Sequence, residues 1–137
     1  MARRTFDINS LKYISLFESL TGARVKDCII SDNVTFIIEK GNIGLAIGRQ
    51  GKTLRRVEKV FQKRLKIVEF DDNVLEFIKN FIYPIRKIGL SREGSVIKIK
   101  GHDTKTRAMV IGRERSRLKR LESVVKRYFD IEKIVVE

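Results

Sequence analysis

The sequence predicts an α+β protein in which one small module is built twice. Two observations carry that expectation. Along the 137 residues the hydrophobic periodicity reads helix, strand, strand, helix, helix, strand, and then the same order again. Within that order, residues 47–67, IGRQGKTLRRVEKVFQKRLKI, align without a gap to residues 111–131, IGRERSRLKRLESVVKRYFDI, with eight of 21 positions identical. Shared periodicity accounts for matching apolar positions such as Leu54 and Leu118. It does not account for Gly48 and Arg49 recurring as Gly112 and Arg113. The expected modules are residues 1–70 and 71–137. Their link, Asp71-Asp72-Asn73, is short enough that they are expected to pack as one unit with a continuous basic track.

Asn9 or Ser10 is expected to cap a first helix that lines one face with Leu11, Ile14, Phe17 and Leu20 (or Ser19) and ends at Gly22. VKDCIIS and VTFIIEK are rich in β-branched residues and read as two strands joined at Ser31-Asp32-Asn33. NIGLAI is a short helix stopped by Gly48. The longer helix from Lys52 places Leu54, Val57, Val60 and Phe61 on its buried face, and LKIVEF is the third strand. In the second half, VLEFIKNFIYP is helical by spacing and closes at Pro84, the single proline. RKIGLS and SVIKIK are expected to pair around Arg92-Glu93-Gly94. TKTRAMVI is then a short helix, RSRLKRLESVVKRYF a long one, and IEKIVVE the last strand. Phe6, Phe17, Phe61, Phe77 and Phe81 fall on apolar faces or near element ends, so they read as core and not as an exposed base-stacking platform.

The chain carries 30 Lys and Arg against 17 Asp and Glu, a net charge of +13. Residues 1–70 hold 14 basic and 7 acidic side chains, and residues 71–137 hold 16 and 10, so both halves are basic, at +7 and +6. A basic tail is thereby excluded, and a polyanionic partner, nucleic acid above all, is expected. No run of eighteen apolar residues occurs, so no transmembrane helix and no membrane partner are expected. The N-terminal residues lack the apolar stretch of a secretory signal, which makes the cytoplasm the expected location. One cysteine and one histidine exclude an intramolecular disulfide, a multi-cysteine zinc site and a histidine-based metal cluster. Cys28 lies in an apolar strand and His102 in a Gly-His-Asp turn, with no carboxylate pair at catalytic spacing. Neither an enzyme, nor a metal, nor a cofactor is expected.

Gly48-Arg49-Gln50-Gly51 lies between two helical segments. Glycine lets the backbone turn tightly and lets a phosphate approach without a Cβ in the way. The following helix offers its amides and the positive end of its dipole to the same anion, and Arg49, Lys52, Arg55 and Arg56 surround the place with cations. A helix–turn–helix corner also uses glycine for backbone geometry alone. A bare GxxG even occurs a second time, at Gly41-Asn42-Ile43-Gly44, as a strand-to-helix turn. A third reading is nucleotide binding, because Ala46 to Thr53 is one residue away from GxxxxGK[ST]. That chemistry needs a strand running into the loop and a glycine in place of Ala46. The repeated copy, moreover, keeps neither lysine nor threonine but has Ser116 and Arg117.

IGRQGKTL, placed after two strands and inside a helix–turn–helix, resembles the RNA-binding KH module. The element order is similar to the prokaryotic, type II, form of that fold. Two such modules in a short basic chain resemble the archaeal NusA-like transcription factors over almost the whole sequence. The resemblance implies single-stranded RNA binding, without catalysis, in transcription elongation and termination. The implied RNA is a nascent transcript, and RNA polymerase or other transcription factors are the implied protein partners. In this family the loop holds the backbone of about four nucleotides, whose bases lie over an apolar groove. Carried onto this chain, the RNA-binding residues are Gly48, Arg49, Gln50 and Gly51 with Ile47 beneath them, followed by Lys52, Arg55 and Arg56. The groove floor would be the helix from Lys52 and one strand of the first module.

The second loop departs from the pattern as Gly112-Arg113-Glu114-Arg115. Arg115 puts a Cβ where the family has glycine, and Glu114 puts a negative charge beside the expected phosphate. The second module is therefore either a structural or auxiliary basic surface, or it binds through Gly112, Arg113, Arg115, Arg117, Lys119 and Arg120 by attraction that is mainly Coulombic and readily screened by salt. The alternatives are a KH protein of ribosome assembly or RNA turnover, a nucleotide-binding protein, and an adaptor that binds only protein.

Overall fold

The computed structural model describes residues 8–137 as an α+β protein with two three-stranded sheets. The described residues fall into two compact units that divide between Asp71 and Asp72. In the first, helix α1 (Ile8–Thr21) precedes strands β1 (Val25–Ile30) and β2 (Val34–Ile38). Helices α2 (Ile43–Ile47) and α3 (Lys52–Phe61) and strand β3 (Leu65–Glu69) follow. The second unit runs α4 (Val74–Ile82), β4 (Ile88–Glu93), β5 (Val96–Gly101), α5 (Thr104–Ile111), α6 (Ser116–Lys126) and β6 (Lys133–Val136). Both sheets have the same topology: order β1-β2-β3 or β4-β5-β6, the first pair antiparallel and the second parallel. A tight turn makes the antiparallel pair, whereas a parallel pair needs a long crossover. The crossover is the helix–loop–helix that carries each glycine loop.

The core of the first unit is aromatic. Phe17 stacks on Phe36 at 4.2 Å, and Phe61 meets Phe36 and Tyr13 edge-on at 5.7 and 5.1 Å. Cys28, Val34, Ile38, Ala46, Val57 and Leu65 close around them. Helix α1 already begins at Ile8, so Asn9 and Ser10 lie within it and neither is its cap. Its buried residues are Ser10 and Phe17, with Tyr13, Ile14 and Leu20 packed partly against the core. Leu11 is 51% exposed, because it lies about 120° round the helix from Phe17. Val60 likewise leaves the expected core, at 50% exposure, since the buried stripe of α3 runs through Leu54, Val57 and Phe61. Phe6 lies outside the described residues.

In the second unit Phe77 gathers Phe81, Tyr128 and Phe129 at 6.2, 5.7 and 5.8 Å. Strand β4 continues through Arg92 and Glu93, which pair with Ile97 and Val96, so the turn is at Gly94-Ser95 and not around Arg92-Glu93-Gly94. Asn73 caps α4 by accepting from the amides of Leu75 and Glu76 at 2.9 and 3.2 Å. Removing this acceptor in Asn73→Ala is expected to cost about 1 kcal/mol in urea unfolding. Asp103 caps α5, and the Thr106 amide at 2.7 Å holds its carboxyl below the ordinary carboxylate range, aided by Lys87 and Arg107. A depressed carboxylate stabilises the fold above its unfolded pKa and loses that contribution as pH falls through the folded value. Asp103→Asn is therefore expected to flatten the stability profile below about pH 4.

The gapless internal match ends with the helices. Glu58 accepts from the amide of Leu65, and its counterpart Glu122 accepts from that of Ile134, each at 2.9 Å. Leu65 pairs with Val34 of β2, and Ile134 with Ile97 of β5. Leu65 therefore corresponds to Ile134, five positions beyond the gapless partner, Phe129. Ile67 and Ile131 are not equivalent: one is in β3, the other precedes β6. The repeated glutamate pins the parallel strand to the helix. Glu58→Ala, which orphans the Leu65 amide, is expected to cost about 1–3 kcal/mol, most of it recovered in Glu58→Gln.

Candidate nucleic-acid interface

Helix α2 ends as the amide of Gly48 donates to the carbonyl of Gly44 at 2.8 Å. The chain then turns through Gln50 (φ 55°, ψ 27°) and Gly51 (φ 75°, ψ 12°) into α3, with the Gly51 amide donating to Gly48 at 3.2 Å. The two glycines are there for different reasons. Gly48, at φ 75° and ψ 174°, lies in a region that is essentially glycine-only. A Cβ there would also collide with Thr53 Oγ1 and come within 2.7 Å of Thr53 Cβ and 2.9 Å of its backbone nitrogen. Gly51 lies in the left-handed helical region, which other residues enter at modest cost. A Cβ there would meet only Arg55 Nη1, at 3.3 Å, the end of a flexible side chain. The fold requires Gly48 and merely prefers Gly51.

Arg49, Gln50 and Lys52 are exposed, and the half-buried Ile47 lies beneath them in α2. Arg55 Nη1 donates to the Gln50 carbonyl at 2.9 Å and so braces the loop. Arg56 Nη2 donates to the Leu20 carbonyl at 3.3 Å, near the C-terminus of α1. Two of the expected RNA-binding cations thus also hold the architecture. None of the four is in an ion pair among the described residues, and no acidic residue occurs from Gly41 to Val57. Leu45 on α2 (54% exposed) and Val60 on α3 add exposed apolar surface to the same helix–loop–helix.

The second loop has the same backbone. Gly112 is at φ 75°, ψ 171°, Glu114 at φ 53°, ψ 31°, and Arg115 at φ 64°, ψ 19°. Gly112 is demanded as Gly48 is: its Cβ would come within 2.7 Å of Arg117 Cγ and 2.9 Å of the Arg117 nitrogen. Arg115 enters the left-handed region that Gly51 occupies in the first loop. Arg117 Nη1 donates to the Met109 carbonyl at 3.2 Å. Arg113, Arg115, Arg117, Lys119 and Arg120 are in no ion pair among the described residues. The apolar surface is smaller here: Met109 stands where Leu45 does, but Val124, the counterpart of Val60, is buried.

A family model for the KH domain matches residues 12–87. Along nearly the whole chain, two archaeal proteins called "Probable transcription termination protein NusA" are each 31% identical. The one from Methanocaldococcus jannaschii matches over 99% of this chain and 76% of its own length, and the one from Halococcus morrhuae over 96% and 97%. The chain belongs to the archaeal NusA-like KH proteins. The crystal structure of APE1850 superposes on 96% of this NusA-like chain and on all of that one, with a TM-score of 0.73 and 26% identity.

Two features of this NusA-like loop escaped the sequence. Thr53, matched there only to a nucleotide-binding pattern, packs its side chain against Gly48 and sets the turn. The element that runs into the loop is α2, where nucleotide binding of that kind needs a strand. Helical spacing puts Val60 on the buried face of α3, but it is 50% exposed near the C-terminal end of that helix, on the side away from the core stripe of Leu54, Val57 and Phe61. Among the described residues, no group of three or more His, Cys, Asp or Glu is placed to hold a metal ion, and no helix is long and apolar enough to cross a membrane.

Proposed function

We propose that the chain binds single-stranded RNA in transcription, with a role in elongation and termination, and that its principal clamp is Gly48–Gly51. The observation that carries this reading is a glycine-flanked turn at the start of α3, surrounded by cations that are in no ion pair among the described residues. A phosphate seated there meets the N-terminal amides of α3, with Arg49 and Lys52 as mobile counter-charges and the braced Arg55 behind them. Leu45 and Val60 offer the neighbouring bases apolar surface.

On this reading the second half of the chain, residues 71–137, is a second KH module. Its element order, strand pairing and loop dihedrals, all matching those of the first unit, support that. Gly112, Arg113, Arg115, Arg117, Lys119 and Arg120 then add a longer-range attraction to RNA. The part in termination is inferred from the name of the archaeal relatives, and contact with RNA polymerase or other transcription factors would follow from it.

Crosslinking in cells, followed by sequencing of the bound RNA, tests the role. Recovery of nascent transcripts, enriched towards their 3′ ends, is the expected result. Recovery of ribosomal RNA alone would move the protein to ribosome assembly. A magnesium-nucleotide complex that raised the melting temperature would restore the nucleotide-binding reading.

A further inference from the structure

Among the described residues, Tyr83 is the one exposed aromatic side chain. It is 60% open to solvent just after α4, whereas every other described ring is buried or half-buried. The backbone around it is held: the Ile85 amide donates to the Ile82 carbonyl at 3.0 Å, that of Ile88 to Arg86 at 2.8 Å, and that of His102 to Lys87 at 3.0 Å. The ring is held as well. The Arg86 guanidinium carbon lies 5.2 Å from its centroid, and Arg86 Nη2 donates to its hydroxyl at 3.2 Å. An exposed contact of this kind adds little to stability, so the pair orients the ring more than it secures the fold. The surroundings are cationic. No acidic residue occurs from Phe77 to Arg92, a stretch that carries Lys79, Arg86, Lys87 and Arg92. Lys79 is paired with Glu76 at 3.6 Å, and Arg92 donates to the carbonyls of Gly94 and Asp130. Arg86 and Lys87 are exposed and in no ion pair among the described residues. Between Val60 and Met109 no other large apolar side chain is exposed. A protein partner would call for a wider apolar patch around the ring. A lone, oriented ring beside free cations suits a nucleotide base and its phosphate.

We propose that Tyr83 is a base-stacking contact for single-stranded RNA, with Arg86 backing the ring and Lys87 meeting the adjoining phosphate. The contact lies outside both helix–loop–helix segments. It rests on the reading of the chain as an RNA-binding protein, but not on which loop grips. The base lies on the ring surface that Arg86 leaves open. Every base has a π-face, so the contact adds affinity without choosing a sequence.

The chain contains no tryptophan, so Tyr83→Trp places a single fluorescent reporter at this position. Oligouridine is expected to quench its emission by stacking on it, and an abasic ribose-phosphate oligomer of the same length is not. Tyr83→Ala is expected to lower affinity for oligouridine about tenfold. It should leave affinity for the abasic oligomer and the melting temperature as they are, and Tyr83→Phe, which keeps the ring, should recover most of the loss. If oligouridine binds but fails to quench Tyr83→Trp, or binds Tyr83→Ala as tightly as the parent, the proposal fails and the RNA-binding reading stands. An equal loss for both oligomers in Tyr83→Ala would also overturn it, since the ring would then not be meeting a base. If the intact protein binds neither oligomer at low salt, the RNA-binding reading falls and the proposal with it.

Discussion

Gly48→Ala is expected to destabilise the first unit by about 3 kcal/mol, a large fraction of the stability of a small domain. Two costs combine. The backbone at φ 75° and ψ 174° is closed to residues with a Cβ, and the new methyl would lie within 2.9 Å of the Thr53 backbone nitrogen, which cannot move without shifting α3. Gly51→Ala, three residues on, is expected to cost only about 1 kcal/mol, because the left-handed helical region is open to alanine at that price. Urea unfolding of both variants checks the contrast. Equal losses would mean that the fold demands both glycines alike, contrary to the reading given to the second.

The duplicated order of elements could be read from hydrophobic spacing, because each helix and strand repeats its apolar positions and each break carries Gly, Asn or Asp. Spacing alone did not set how far each helix turns towards its core. Leu11 and Val60 are at the edge of an apolar stripe, and which edge is covered depends on the neighbouring element and not on the periodicity. The helix match from Ile47 to Val60 was sound in register, but it could not show the five-residue shift beyond Glu122. That shift became visible only through the strand amides that the two glutamates hold. At the loop, glycine, arginine and lysine pointed to a phosphate by residue type. That the two glycines have separate causes depends on where Thr53 and Arg55 stand, which no spacing rule contains.

Arg49→Asp together with Gln50→Asp is expected to lower affinity for single-stranded RNA by about a hundredfold, or about 3 kcal/mol, at low salt. The pair changes the loop charge from +1 to −2 at two exposed positions that bear no packing. Stability should therefore stay within about 0.5 kcal/mol of the parent. The matching change in the second loop, Arg113→Asp with Arg115→Asp, is expected to cost less, and its cost should shrink faster with added salt. Long-range attraction is screened beyond about 8 Å at physiological ionic strength, whereas close phosphate contact is screened much less. Equal losses at low and near-physiological salt would mean that both loops grip alike.

Ultraviolet crosslinking of a short single-stranded RNA to the intact protein, with the adducts mapped to peptides, tests the central claim most directly. The account predicts that most adducts fall between Ile43 and Phe61, at Gly48–Lys52 above all, with fewer from Thr104 to Lys126. Adducts confined to other surfaces, such as Lys98, Lys100 and Lys133 on the second sheet, would contradict it.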